Sequence, residues 1–347
     1  MNASLGYSPI LTEASSDYLH EQDSLRILSV VPTIEVPTPL GSFLKQNIAE
    51  IRRVETKRLQ FNEQILGSVP DTLPVAYQLE PISKRYDING SELPALGKLL
   101  YNGASGEEVE LSYARSASVI VAQKLVKKMA DAFFVAGSYA SPNKATPNWS
   151  NTSTATPITD IDGYKQAVEK ESGYTPNTAI MTPDVFLKLK NNLEVKANFA
   201  GGYIGKENGM NGGIDEARLA TALGVDRVFV TKTAWNSGAT GATASNNYVV
   251  GGSFFLLAYL NGNSVLGNKV ENTLGVGFYQ SMELLTGNRI DSGYSNGLNV
   301  SIPFPIGVRK TYDAGRAGFG QDSIIAEAVA SYQLVYPEFG HLSTVTV

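Results

Sequence analysis

Between Gly106 and Ala136, apolar or small residues recur at Leu111, Ala114, Ser118, Val121, Leu125, Met129 and Ala132. Spacings of three and four put these positions on one face of a helix. Ser105 and Glu108 have capping-box spacing, and Glu107, Glu108 and Glu110 lie at the positive end of the helix dipole. Gly137 follows the last periodic residues, where a left-handed cap would end the helix. The pattern predicts one helix over 106–136, about 46 Å long. Such a helix needs a partner helix or a sheet laid along it. Arg115, Gln123, Lys124, Lys127, Lys128 and Asp131 fall mostly on other faces. Its three lysines form a basic patch, either a solvated face or a weak contact with polyanion.

A period of two appears elsewhere. Val75, Tyr77 and Leu79 alternate with Ala76, Gln78 and Glu80. Upstream, Ile48, Ile51 and Val54 run among Arg52, Arg53, Glu55, Lys57, Arg58 and Glu63. Together they predict an extended hairpin over 46–82 with a charged tip near 55–73. That tip is either a plain solvated loop or a contact with another subunit. Strands are also expected at 308–312 and 324–336. In the second, Ala326, Ala328, Ala330 and Tyr332 form one face, and Glu327, Val329, Ser331 and Gln333 the other.

Residues 1–45 read as an arm. Asp17, Glu21 and Asp23 lie in a short polar helical stretch with Leu19 and Leu25. Pro32, Pro37 and Pro39 then exclude a regular helix and disfavour a central strand, so the arm is expected to lie extended along something else. Residues 138–157, rich in Ser, Thr, Asn and Pro, read as a linker. Helix and strand signals alternate from 160 to 231. A helix over 161–172 ends at Gly173, and a strand follows at 178–181. Thr182 and Pro183 are the N-cap and first residue of a helix with Val185, Phe186 and Leu189 on its apolar face. Beyond a glycine-rich loop at 199–213 come a helix over 214–223 closed by Gly224 and a strand at 227–231. Phe254 to Leu257 is an apolar run typical of a buried strand, and 290–300 reads as polar edge structure.

The 347 residues carry a net charge of −5, which argues against tight surface binding of nucleic acid. The chain has no cysteine, which excludes disulfides, thiolate zinc sites and cysteine nucleophiles. No run of 18 apolar residues suggests a membrane span, and no signal peptide is visible. The two histidines, His20 and His341, lie near opposite ends, without a nucleophile elbow or paired metal-ligand spacing. Gly201, Gly202 and Gly205 lack a P-loop ending, and Gly275 and Gly277 lack the third glycine of a dinucleotide fingerprint. The carboxylate pairs Asp160/Asp162 and Asp215/Glu216 are explained as readily by helix N-termini as by catalysis. Asn148-Trp149-Ser150 and Asn151-Thr152-Ser153 match an N-glycosylation pattern that matters only in a secreted eukaryotic chain. No catalytic, cofactor or metal residue is assigned.

Four stretches together resemble a known family: the helix 106–136, GYTPNTAIMTPDVFLKLKNN at 173–192, ARLATALGVDRVFVTKTAWNSG at 217–238, and the strand pair within 308–336. Their order is similar to that of the major capsid protein of tailed bacteriophages, the HK97-type fold. The resemblance implies an α+β fold in five segments. These are an N-terminal arm (1–45), an extended β-hairpin E-loop (46–82), a peripheral domain with the spine helix (83–157), an axial domain (158–301), and return strands completing the peripheral domain (302–347). It implies a structural protein that self-assembles, as pentamers and hexamers, into an icosahedral head enclosing double-stranded DNA. The virion would be assembled in the host cytoplasm, with portal, scaffold or decoration proteins as possible partners, only weak non-specific contact with packaged DNA, and no membrane. Arg52, Arg53, Glu55, Lys57, Arg58 and Glu63 would contact a neighbouring subunit, and Leu111, Val121, Leu125 and Met129 would seat the spine. Some members cross-link a lysine to an asparagine, but no local pattern here identifies such a pair. The alternatives are an encapsulin-like shell holding cargo enzymes, or an enzyme or surface-binding protein that forms no shell.

Overall fold

The computed structural model describes residues 8–20, 22–48, 72–89, 106–200, 214–236, 243, 245–262, 265–266, 269–280, 306–313 and 321–347. Its helices are α1 (Pro9–His20), α2 (Gly106–Phe133), α3 (Pro157–Ser172), α4 (Pro183–Asn191), α5 (Leu193–Ala200) and α6 (Glu216–Leu223). The first strands are β1 (Thr33–Glu35), β2 (Leu40–Gln46), β3 (Thr72–Gln78), β4 (Glu80–Asn89) and β5 (Lys144–Ala145). Then come β6 (Thr178–Met181), β7 (Arg227–Val230), β8 (Ala234–Asn236), β9 (Asn246–Tyr248) and β10 (Phe254–Ala258). The last are β11 (Val265–Leu266), β12 (Lys269–Val270), β13 (Gly275–Tyr279), β14 (Gly307–Asp313), β15 (Gln321–Leu334) and β16 (Gly340–Thr344).

The spine helix α2 is 28 residues long, about 42 Å. Ala114, Ser118, Val121, Leu125 and Met129 are wholly buried, as the spacing requires, while Leu111 and Ala132 are half-buried at the edges of the stripe. Ala117, Ala122 and Val126 are also buried, so the apolar face is wider than a three-four stripe. It is covered by the sheet centred on β15, not by one partner helix. Burying each large apolar side chain there contributes about 1.5–3 kcal/mol. At Gly275 of β13 there is no room for a side chain: an added Cβ would stand 2.3 Å from Phe133 Cε1 and 2.5 Å from the Gln333 carbonyl oxygen.

The helix does not end as its sequence suggests. It stops at Phe133, and Gly137 lies in a 3-10 turn, Ala136–Ser138, outside the left-handed region. The Tyr139 hydroxyl instead donates to the Phe133 carbonyl at 2.9 Å. Phe133 and Phe134 turn into the core, with ring centroids 6.4 Å from Tyr332 and 5.8 Å from Phe254. The expected N-cap, Ser105, lies outside the described residues.

Strand β15 organises the sheet under the spine. It pairs antiparallel with β4 along 321–330, with β14 along 321–327 and with β13 along 330–334. Strand β1 adds in parallel to β13. The face of β15 carrying Ala326, Ala328, Ala330 and Tyr332 is buried, as its alternation predicts. The arm departs from expectation. Leu19, Leu25, Ile27, Leu28, Val30, Val31 and Val36 are buried in the spine's own core. Helix α1 packs on α2, the Ser8 amide donates to the Val308 carbonyl at 2.8 Å, and the Arg115 guanidinium sits 5.5 Å from the Tyr18 ring centroid. The prolines block regular structure, yet the apolar residues between them still find this chain's core.

A second sheet, ordered β5-β16-β10-β6-β7, explains the run Phe254 to Leu257. Strand β10 is central, with β16 and β6 antiparallel on its two sides. Leu256, Ala258, Ile180 and Leu342 face the spine's core, while Phe255, Leu257, Ala179 and Met181 face a second core built with α3 to α6. A strand buried on both faces needs apolar residues at successive positions. The segments also interleave. Strand β13, within the stretch expected to be axial, belongs to the sheet beneath the spine, and β16, expected among the return strands of the helix layer, belongs to this second sheet.

The short elements around it follow local rules. Gly173 (φ 76°) and Gly224 (φ 59°) end α3 and α6 in the left-handed conformation. Asp215 caps α6, accepting from the Arg218 amide at 2.8 Å. Thr182 stands at the N-cap of α4 but makes no capping bond; its hydroxyl accepts from the Phe254 amide at 3.1 Å and so joins α4 to β10. Among the described residues no helix is long and apolar enough to cross a membrane.

Candidate assembly surfaces

The hairpin root is the antiparallel ribbon of β2 and β3, in register from Leu40 opposite Gln78 to Gln46 opposite Thr72. The outgoing strand therefore begins at Leu40, ahead of the expected start near 46. Directly opposed residues share a face. On the inner face Phe43 is buried with its ring centroid 5.1 Å from Phe278, and Tyr77 stacks on Phe278 at 4.8 Å. Gly41 lies beneath Tyr77, where a Cβ would stand 2.4 Å from the phenol oxygen. The outer face carries Leu40, Ser42, Leu44, Gln46, Thr72, Pro74, Ala76 and Gln78, none of them charged. Leu40 is 65% exposed and Leu44 41%. Around Phe43 and Tyr77 the inner face thus rests on the chain's own core, although Leu73 opposite Lys45 is 47% exposed, and the outer face, partly apolar, is exposed from Leu40 to Leu44 in the single chain.

The root is pinned at Tyr336. Its hydroxyl accepts from the Gln46 amide at 2.7 Å and donates to the Val270 carbonyl at 2.9 Å. Burial pushes this phenol up to about 12, and the carboxylates of Glu271 and Glu338 push the same way against the Gln46 amide. Lys45 Nζ donates to the Val335 carbonyl at 2.7 Å and lies 4.9 Å from the Tyr336 ring centroid. Strand β12 adds in parallel to β2, so the root is tied to two separate parts of the chain, 269–270 and 335–336. Arg52, Arg53, Glu55, Lys57, Arg58 and Glu63, assigned to the tip, lie outside the described residues.

On the outer side of the spine the lysine patch is largely neutralised within the chain. Lys127 pairs with Asp131 one turn on, and Lys128 with Glu80 on β4. Lys124 is exposed. Glu110 receives Lys310 from β14 at 2.7 Å, so the acidic first turns also tie the helix to its sheet.

The other groups that the sequence raised have structural partners. His341 is buried, stacks on Tyr164 at 4.0 Å and lies 3.3 Å, through Nδ1, from the Ser343 hydroxyl. Burial holds its imidazole down at about 4, so the ring is neutral at pH 7. Asp160 accepts from the Trp149 indole at 2.8 Å, Asp162 pairs with Lys165 at 3.2 Å, and Glu216 pairs with Lys232 at 2.6 Å. Asn148 and Asn151 accept from the amides of Ser150 and Ser153, closing short turns. His20 is the last residue of α1, remote in sequence from these groups. The uncovered ribbon face and the Tyr336 pin are not marked by any motif. Only the alternation in 72–80 hinted at the first, and nothing in the sequence pointed to the second.

In sequence the chain matches no family model and no curated protein. In structure it is similar along nearly its whole length to a phage-related protein from Bordetella bronchiseptica RB50. The identity is 16%, 97% of this chain and 96% of that one are covered, and the TM-score is 0.64. It is also similar to the mature capsid of bacteriophage PhiM1, at 9% identity, 92% and 86% coverage and a TM-score of 0.50. A virus-like particle from Pyrococcus furiosus is similar at 10% identity, 96% and 97% coverage and a TM-score of 0.50. At these identities the likeness is one of fold, and the fold is the α+β HK97 type.

Proposed function

We propose that this chain is a structural shell subunit, the major capsid protein of a tailed bacteriophage, and that copies of it close into an icosahedral head around double-stranded DNA. The observation that carries the reading is the β2–β3 ribbon: an extended element with one face in its own core and an uncharged, partly apolar outer face uncovered. Identical subunits that close by symmetry need such surfaces. The likeness over 92% of the chain to the mature capsid of bacteriophage PhiM1 supports the same reading.

On this reading residues 1–45 are the arm and the ribbon with its tip is the E-loop. The spine layer is the peripheral domain, and the sheet centred on β10 with α3 to α6 is the axial domain. Arg52, Arg53, Glu55, Lys57, Arg58 and Glu63 meet charges on a neighbouring subunit, and Leu111, Val121, Leu125 and Met129 hold the spine on its sheet. Pentamers and hexamers build the head in the host cytoplasm, with portal, scaffold or decoration proteins as further partners. The shell makes weak contact with DNA, since the net charge is −5 and two of the three spine lysines are already paired. No catalytic role is assigned to the chain.

The test is electron microscopy of the purified chain and of particles made with it, followed by nuclease digestion and analysis of the contents. Closed shells protecting double-stranded DNA support the reading. Shells holding protein and no DNA would replace it with an encapsulin-like compartment, and a chain that never closes would overturn it.

A further inference from the structure

Among the described residues β14 pairs only with β15, whereas β13 is flanked by β15 and β1. At Val308 the outer side of β14 is taken by the start of α1. The Thr12 hydroxyl accepts from the Val308 amide at 3.0 Å and donates to the Val308 carbonyl at 3.4 Å. The same carbonyl accepts from the Ser8 amide at 2.8 Å. Ser8 Oγ in turn accepts from the Leu11 amide at 3.4 Å, so the residue that caps α1 also holds it to the strand. Val308 is wholly buried. Covering an edge with a helix is one way a sheet avoids pairing with foreign backbone.

This cover is held less firmly than its burial suggests. Ser15 of α1 is 0% exposed, and its hydroxyl has no hydrogen-bond partner. Where Tyr18 of α1 meets Arg115 of the spine, the guanidinium Nε is buried and likewise unpaired. A polar group buried without a partner opposes the docked state, since water would bond it once exposed. On the other side of the balance stand Leu19, buried, Leu11, half-buried, and the bonds to Val308. Ile10, 77% exposed, adds almost nothing. A 12-residue helix is marginal by itself, so α1 loses its structure when it undocks.

We propose that α1 is a removable cover. Docked, it occupies the β14 edge at Val308 and keeps the subunit from associating there. It opens as a unit while the rest of the chain stays folded. An uncovered edge offers its backbone to an extended segment, which in a solution of the purified chain comes from a second copy. The device is therefore an autoinhibitory contact, and it operates whether or not the copies close into a shell.

Three variants move the cover in stated directions. Thr12→Val removes the hydroxyl that bonds Val308 and keeps the branched shape, so it should open α1. Ser15→Ala removes the unpaired buried hydroxyl and should hold α1 closed. Ser16→Ala, at a half-buried position of the same helix, measures the gain from alanine's helix preference alone. Hydrogen exchange with mass spectrometry follows a peptide covering 8–20, with the peptide containing β6 reporting global opening. In the wild type 8–20 should exchange faster than β6. Thr12→Val should speed that exchange about tenfold, and Ser15→Ala should slow it about tenfold relative to Ser16→Ala, with β6 unchanged. Light scattering of the purified chains should then rank association as Thr12→Val fastest and Ser15→Ala slowest. Exchange of 8–20 only at the rate of β6, no slowing by Ser15→Ala beyond Ser16→Ala, or equal association from variants whose opening differs would overturn the proposal. If Thr12→Val accelerates β6 as well, Ser15→Ala against Ser16→Ala still decides. A chain that forms no closed shell defeats the shell reading and leaves this comparison intact, since it needs only subunits and their association.

Discussion

Tyr336→Phe isolates the pin at the hairpin root. The ring remains, so its packing against Phe339 (centroids 5.5 Å apart) and beneath Lys45 is kept. Only the hydroxyl is lost, and with it the 2.7 Å bond from the Gln46 amide and the 2.9 Å bond to the Val270 carbonyl. Each bond contributes about 1 kcal/mol net, and a buried group left unpaired adds a penalty of about 1–3 kcal/mol. Tyr336 is 1% exposed, so water cannot readily replace the hydroxyl. The two bonds alone set a lower bound of about 2 kcal/mol, concentrated where β2 meets β12. At 1.4 kcal/mol per tenfold, that corresponds to roughly 30-fold faster amide exchange at Gln46. Hydrogen exchange with mass spectrometry on a peptide covering 40–48 measures it, and the peptide containing β6 serves as a control that should not change. On the shell reading, the loosened hairpin also lowers the yield of closed particles while the free subunit stays folded. Unchanged exchange at Gln46 would refute the argument, because the hydroxyl would then not hold the root. Equal acceleration in β6 would show a global loss of stability instead of a local one.

Three further outcomes are expected. Val121→Pro, in the wholly buried middle of the spine, should cost at least ~3 kcal/mol through the lost backbone bond and the ring clash; a wild-type circular-dichroism spectrum and thermal transition would contradict it. For His341 the folded value is about 4 against an ordinary 6.5, so between these values the unfolded chain binds a proton that the folded chain does not. Stability therefore falls as pH drops from 6.5 to 4, by about 3 kcal/mol from this group, and His341→Gln should lack that slope in urea titrations at pH 7 and 4.5; parallel slopes would count against it. Replacing 55–71 by a short Gly-Ser linker spares β3, which begins at Thr72, and should leave the subunit folded but unable to close into shells. A solvated loop would cost about 0.5 kcal/mol or less, whereas interfacial charge pairs each contribute about 1.5 kcal/mol or more, so normal shells would remove the tip from the assembly mechanism.

Much of the local structure was legible because its causes are local. The three-four spacing from Leu111 to Met129, the strand at 178–181, the glycines at 173 and 224 and the two faces of β15 follow from side-chain period and backbone freedom within a few residues. The end of the spine was not, because the Tyr139 hydroxyl and two core-seeking phenylalanines set it instead of Gly137. Thr182 likewise had a better partner in Phe254, far away in sequence, than in its own helix. The candidate surfaces were half legible. Alternation located the returning strand, but the outgoing strand began earlier than the apolar spacing of Ile48, Ile51 and Val54 implied.

By itself the sequence determined that the chain has a long one-faced helix, a strand alternating from Val75 to Leu79, an apolar strand at 254–257 and no cysteine chemistry, since each is a matter of residue type and period. Only the tertiary structure decided what those faces meet. The prolines of the arm imply a segment lying extended along something else, yet its apolar residues enter the core of the spine, because burial depends on what lies opposite and not on whether the segment is regular. Strand β10 is apolar at every step because two cores lie on its two sides, and strands from distant parts of the chain supply its neighbours. The outer face of the β2–β3 ribbon emerges as an exposed surface only once everything else has been packed, since exposure is what remains after long-range contacts are made.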